Sequence, residues 1–173
     1  MYCKGDKIVY PMYGAGLIEE VAESEQDGAS QLYYVLRISV GDLRIMIPTS
    51  KAECLGIRPI QSREQMLGVF AAAGSRVCPM PDNWNQRYKE NLERIKTGHL
   101  DEVVTVFRSL LSRERGKVLS SAEKKMLSAV KQILLSELIL SLGVDKDQAE
   151  EVLFAAAADP GYAEARIGCA LLN

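Results

Sequence analysis

The stretch IRPIQSREQMLGVF, residues 57–70, holds the boundary on which the fold turns. Residues 57–60 read as a short strand. From Ser62 the pattern changes, because Ser62-x-x-Gln65 has the spacing of a capping box, in which each side chain serves the other's backbone N–H. Met66, Leu67, Val69, Phe70 and Ala73 then keep helical spacing as far as Gly74, a C-terminal stop.

Everything upstream of this point is β-rich. Short runs at residues 7–10, 17–23, 31–39 and 43–47 are separated by Gly, Asp and Pro, with Asp27-Gly28 and Gly41-Asp42 reading as hairpin turns. In the last of these runs Leu43, Ile45 and Ile47 fall on one face, Arg44 and Met46 on the other. A small antiparallel β-barrel or curled sheet of about five strands follows, closed by residues 57–60. Downstream the period is helical. Asn83 suits an N-cap for a helix that stops near Thr97-Gly98, and Leu100, Val103, Val104, Phe107, Leu110 and Leu111 form the buried ladder of the next. Ser120-x-x-Glu123 caps a long helix through Met126, Val130, Ile133, Leu134 and Leu138 to Gly143, and Asp145-x-x-Gln148 opens a fifth that runs to about Ala158. The expected fold class is α+β: a β-rich domain over residues 1–61, a compact all-α domain of about five helices over 62–158, and a tail, 159–173, of unassigned order.

With 47% hydrophobic and 25% charged residues in 173, the composition is that of an ordinary soluble globular protein. The longest mainly apolar window, residues 133–144, is interrupted by Ser136, Glu137 and Ser141, and is shorter than the roughly 18 to 20 residues that cross a bilayer. The opening MYCKGDKIVYP has no apolar run of a secretory signal, so a cytoplasmic location is expected. Cysteines 3, 54, 78 and 169 stand far apart, and His99 is the single histidine, so zinc-ligand spacing is absent and the thiols read as reduced. Phosphate-binding glycine loops and nucleophile motifs are absent too. No metal, no cofactor and no enzymatic activity are expected.

The formal net charge of −2 conceals an uneven distribution. Lys and Arg number 6 against 8 acidic residues in 1–61, 13 against 10 in 62–145, and 2 against 5 in 146–173. Only the helical middle is basic. A solvated helix surface accounts for so small an excess, but the cations cluster: Arg87, Lys89, Arg94 and Lys96 on one helix, Arg108, Arg113, Arg115 and Lys117 toward the end of the next.

The single tryptophan, Trp84, stands in the first turn of the helix that Asn83 caps, with Asp82, Asn83, Asn85, Gln86 and Arg87 around it. Two readings compete. Trp84, Tyr88, Leu92 and Ile95 form one stripe about 80° wide, which makes the indole core. Its position at the tip of an element, in a polar collar with cations beside it, makes it an apolar wedge of the kind that pries at a base step while Arg and Lys hold phosphates. Exposure of the indole separates them.

The chain resembles the CarD family of bacterial transcription regulators, also called the CdnL group, from Lys4 to about Ala158. The resemblance rests on Gly5-Asp6-x-Ile8-Val9-Tyr10-Pro11-x-x-Gly14-Ala15-Gly16, on Gly41-Asp42-Leu43 and Ile47-Pro48, and more strongly on Asn83-Trp84-x-x-Arg87-Tyr88-Lys89-x-Asn91-Leu92, Gly98 and Leu119-Ser120-x-x-Glu123-Lys124-x-Met126-Leu127. A module similar to the N-terminal half occurs in transcription-repair coupling factors.

The resemblance implies a Tudor-like N-terminal module that binds the β subunit of RNA polymerase and a helical domain that touches promoter DNA at the upstream edge of the melted region. It implies Trp84 as a minor-groove wedge, with Arg87 and Lys89 at phosphates and Gln86 where relatives can carry a basic residue. Ser24, Glu25, Gln26 and Met46 match polymerase-facing strand positions where relatives use arginine. The expected action is stabilisation of the open promoter complex by a monomer that binds free DNA weakly. The alternative from another class is an interaction module with a buried structural tryptophan and no direct DNA role.

Overall fold

The computed structural model describes residues 1–26, 29–73 and 81–158. Five antiparallel strands, β1 (Lys7–Tyr10), β2 (Gly14–Gln26), β3 (Ala29–Ile38), β4 (Arg44–Pro48) and β5 (Arg58–Pro59), form one sheet in the order β4-β3-β2-β1-β5. The expected barrel does not close: β4 and β5 lie at opposite edges of an open sheet. Five helices follow: α1 (Arg63–Ala73), α2 (Trp84–Lys96), α3 (Leu100–Gly116), α4 (Ser121–Leu142) and α5 (Lys146–Ala158). The expected stop at Gly74, the Asp27-Gly28 turn and the tail from 159 lie outside the described residues.

The local signals act where they stand in the chain. Ser62 and Gln65 exchange their capping bonds at 2.9 and 3.2 Å, Asp145 and Gln148 theirs at 3.3 and 2.8 Å, and Ser120 with Glu123 forms a complete capping box. Gly41 and Asp42 both adopt positive φ, and the Ile38 N–H donates to the Leu43 carbonyl across the turn they make. The strand expected from residue 17 begins earlier, at Gly14-Ala15-Gly16. This segment pairs with Tyr10, Val9 and Ile8 of β1, and on its other side a Cβ on Gly16 would stand 2.3 Å from the Arg37 carbonyl oxygen of β3. Glycine here permits close approach of two strands.

Two apolar cores result. One lies under the sheet, with Ile8, Ile18, Tyr34, Leu36, Ile38 and Ile47; the other fills the helical bundle, with Phe70, Ile95, Phe107, Leu110, Leu134 and Leu138. Between them α4 lies along β1 and β2, joined by polar contacts. The Ala15 N–H donates to Ser136 Oγ at 2.7 Å, and Ser136 Oγ donates to the Ile133 carbonyl. The Gln61 N–H donates to Glu137 Oε1 at 3.0 Å, and Ser141 Oγ donates to the Gln61 carbonyl at 2.9 Å. Arg58 of β5 reaches the same carboxylate through two nitrogens and gives its Nε–H to the Gly98 carbonyl at 2.8 Å. Ser136, Glu137 and Ser141, which break the apolar window in the sequence, are therefore the residues that hold sheet and bundle in one orientation. At the α2–α3 junction Gly98 has φ near +70°, and a Cβ there would meet Pro11 Cγ at 2.7 Å.

Candidate nucleic-acid interface

The first turn of α2 is built by its cap. Asn83 Oδ1 accepts from the Asn85 N–H at 3.0 Å and the Gln86 N–H at 3.3 Å, which satisfies two of the donors that a helix start leaves open. The residues α2 buries are Arg87, Asn91 and Ile95. At about 100° per residue these three span about 80°, and Trp84 falls inside their arc. Trp84 is nonetheless 51% exposed. Cover holds from Ile95 through Asn91 to Arg87 and stops there, since residues 82–86 are all exposed. The buried-tryptophan alternative is not what the fold produces.

Arg87 departs from its expected role. Its side chain is 2% exposed and forms an ion pair with Glu123 of α4, with Nε donating to Oε1 at 2.6 Å. Its Nη1 donates to the Pro81 carbonyl at 2.7 Å and the Asp82 carbonyl at 3.2 Å. A guanidinium committed to one carboxylate and two loop carbonyls is not a surface cation for phosphate. Glu123 divides its oxygens between two tasks: Oε1 takes Arg87, while Oε2 accepts from the Ser120 N–H at 2.9 Å and the Ser120 hydroxyl at 2.8 Å. Burial disfavours its charged form, but the Ser120 donors and Arg87 outweigh burial and hold this carboxyl below the usual carboxylate range. Arg113, near the end of α3, brings its Nε to 3.9 Å from the same Oε1. The starts of α2 and α4 and the end of α3 thus converge on one buried carboxylate, and Trp84 projects from that corner.

Lys89 is exposed, as expected, but lies about 140° around α2 from Trp84. The exposed Gln86 gives its amide to Glu90 at 2.9 Å. Cations not expected at the site, Lys124 and Lys125, and two of the clustered ones stand on the elements that form this corner. Lys125 lines a groove of about 380 Å³ with Tyr88, Leu92 and Met126, one turn along from the tryptophan. Lys124 beside it, and Arg115 and Lys117 at the end of α3, are exposed. The signal for Lys124 and Lys125 was their place immediately after a cap glutamate, which becomes informative only once that glutamate is known to touch α2.

The sheet residues expected to face the polymerase occupy two stations on the sheet. Ser24, Glu25 and Gln26 pair with Gln31, Ser30 and Ala29 at the far end of the β2–β3 hairpin. Ser24 is half-buried and Glu25 exposed. Met46, 54% exposed, lies on edge strand β4 opposite Val35, whose partner on β2 is Glu20. Four residues of strand, about 13 Å, separate that row from Ser24. The same face as Met46 carries two arginines: Arg44 contacts Glu19 at 2.9 Å, and Arg37 contacts Asp42 at 2.6 Å.

Comparison with known proteins agrees with this two-part architecture. Residues 2–61 match the family model described as the CarD-like/TRCF RID domain, and residues 68–154 match that described as the CarD C-terminal domain. A Bacillus subtilis (strain 168) protein named "Putative transcription factor YdeB" is 40% identical over 152 residues, which is 86% of this chain and 97% of that protein. No described helix is by itself long and apolar enough to cross a membrane. A sheet and a helical bundle joined through α4, each matched by its own model and both spanned by one full-length relative, show that the chain belongs to the CarD family of transcription factors.

Proposed function

We propose that the protein binds the β subunit of RNA polymerase through its sheet and stabilises the open promoter complex through its helical domain, with Trp84 inserted as an apolar wedge in the minor groove at the upstream edge of the bubble. The observation that carries this reading is the exposure of the only tryptophan at the first turn of a helix whose remaining inward face is buried. An indole left half in water adds little to folding for its size, and it is rigid enough to enter a distorted base step. Phosphates would be met by Lys89, Lys124 and Lys125, aided by the N-terminus of α4, whose peptide dipoles favour anions. Polymerase contact is supported by the RID match and by β4, an edge strand able to accept a partner strand through its main chain. Action on a promoter places the protein in the cytoplasm.

Such a protein acts by differential affinity. It shifts the closed-to-open equilibrium only as far as it binds the open state more tightly, about 1.4 kcal/mol for each tenfold. Aromatic stacking on unstacked bases contributes on the order of 1 to 3 kcal/mol, enough for a bias of about tenfold to a hundredfold. The test is Trp84→Ala on a defined promoter with intact polymerase. Open-complex lifetime is expected to fall about tenfold while polymerase binding is kept. An unchanged lifetime with the fold and polymerase binding preserved sinks the wedge assignment.

A further inference from the structure

We infer that Arg87 is a positioning residue for Trp84: through Glu123 and the carbonyls of Pro81 and Asp82 it fixes the first turn of α2 against α4, so that the indole is presented in one orientation. This rests on the reading of Trp84 as the group that touches DNA, and its test is arranged so that the two fail separately.

The argument starts from the bonds. The Arg87 guanidinium makes two bonds to the residues immediately before its own helix, at 2.7 and 3.2 Å, and an ion pair to a carboxylate on another helix. It therefore couples three backbone segments within one turn of Trp84. A buried ion pair of this kind is weak evidence of a gain in stability over apolar residues of similar volume. What a forked, planar cation with several fixed donors supplies is direction. Glu123 is equipped to be the fixed end: its other oxygen is bound into the cap of α4, and Arg113 stands behind it. No other described residue in the first turn of α2 is buried, so without Arg87 the turn that carries the indole has only its Asn83 cap.

A phosphate-contacting Arg87 and a positioning Arg87 have different consequences. Open-complex lifetime with RNA polymerase holoenzyme on a defined promoter is measured across a salt series for Arg87→Met, Arg87→Lys and Glu123→Gln, each with Trp84 and with Trp84→Ala. Residual fluorescence anisotropy of the single tryptophan is measured in the free proteins. The positioning role requires Arg87→Met and Glu123→Gln to shorten the lifetime at least about threefold with Trp84 present and to have no further effect in the Trp84→Ala background. It also requires an unchanged salt slope and a lower indole anisotropy. Arg87→Lys keeps the charge and loses the fork, so it is expected to behave like Arg87→Met. The inference is overturned if the losses persist in the Trp84→Ala background, if Arg87→Lys restores the lifetime, if Glu123→Gln lengthens it by removing a negative charge, or if the salt slope falls by about one unit. Should Arg87→Met not fold, Glu123→Gln and Arg87→Lys decide the same question. If Trp84→Ala alone leaves the lifetime unchanged, the wedge reading fails, while unchanged anisotropy in the Arg87 variants is what removes the positioning role.

Discussion

Arg58 on the last strand and Glu137 in the middle of α4, 79 residues apart in sequence, meet as a two-pronged ion pair at 2.7 and 2.9 Å. The Glu137 side chain is 1% exposed, and its Oε1 also accepts the Gln61 N–H. The same guanidinium reaches Gly98 at the α2–α3 junction. One side chain thus ties the sheet to the helix that docks on it and to the turn at the base of α2. The sheet and the helix that carries Trp84 are held at a set distance because this contact is shielded and directional.

Arg58→Met is expected to be costly, since it leaves the Glu137 carboxyl buried and without its cation. Breaking a buried pair from one side destabilises by about 3 to 5 kcal/mol, whereas replacing both members by apolar residues recovers much of the loss. Urea unfolding of Arg58→Met, Glu137→Leu and the double variant measures this. Additive losses would show that the pair is not coupled.

Gly16→Ala is expected to destabilise although it adds a single methyl. That Cβ would lie 2.3 Å from the Arg37 carbonyl oxygen, so β2 and β3 must part locally. The loss should be about 1 to 3 kcal/mol, the range for overpacking. Gly68→Ala, where a Cβ meets nothing within 4 Å, is the control and should be neutral or slightly stabilising. A shift in thermal midpoint for Gly16→Ala no larger than that of the control would refute the close-approach account.

Glu123 links stability to pH. Its folded-state pKa is held below its unfolded value, so the unfolded chain binds the proton first on acidification. Its contribution is therefore fully present above the ordinary carboxylate value of about 4.3 and is lost as pH falls through the lower folded value. Urea midpoints between about pH 6 and pH 3 should fall less steeply for Glu123→Gln than for the wild type. Parallel curves would remove Glu123 from the acid limb.

On β4 the Leu43 carbonyl accepts from Ile38, and the alternation of antiparallel pairing then points the Met46 backbone away from β3, toward the open edge. Met46→Pro deletes an N–H that no neighbouring strand uses, in a place where proline is tolerated. If polymerase pairs with this edge, Met46→Pro should weaken binding at least about tenfold and Met46→Ala by much less. Pull-down with the β subunit compares the two, and equal retention would exclude edge pairing.

The fold was legible where its causes are local. Three capping boxes, the Gly41-Asp42 turn and the helical ladder of α3 each act within a few residues, so their spacing alone placed them. The start of β2 was less legible: the run from residue 17 begins three residues earlier, because the glycines of Gly14-Ala15-Gly16 answer to a carbonyl on β3 and a serine on α4. Barrel closure failed for a related reason: whether edge strands meet depends on the whole sheet.

The candidate site divides in the same way. Sequence by itself determined that Trp84 begins a capped helix in a cation-rich stretch of a CarD-like chain. It could not determine what Arg87 does, since its partner lies 36 residues away on another helix, and a charge in a string of letters looks the same whether it faces water or Glu123. Nor could it show that Ser136, Glu137 and Ser141 form the joint between sheet and bundle. Burial and pairing are properties of surfaces brought together by the chain's return on itself. That return leaves Trp84 half in solvent and takes Arg87, three residues later, inside.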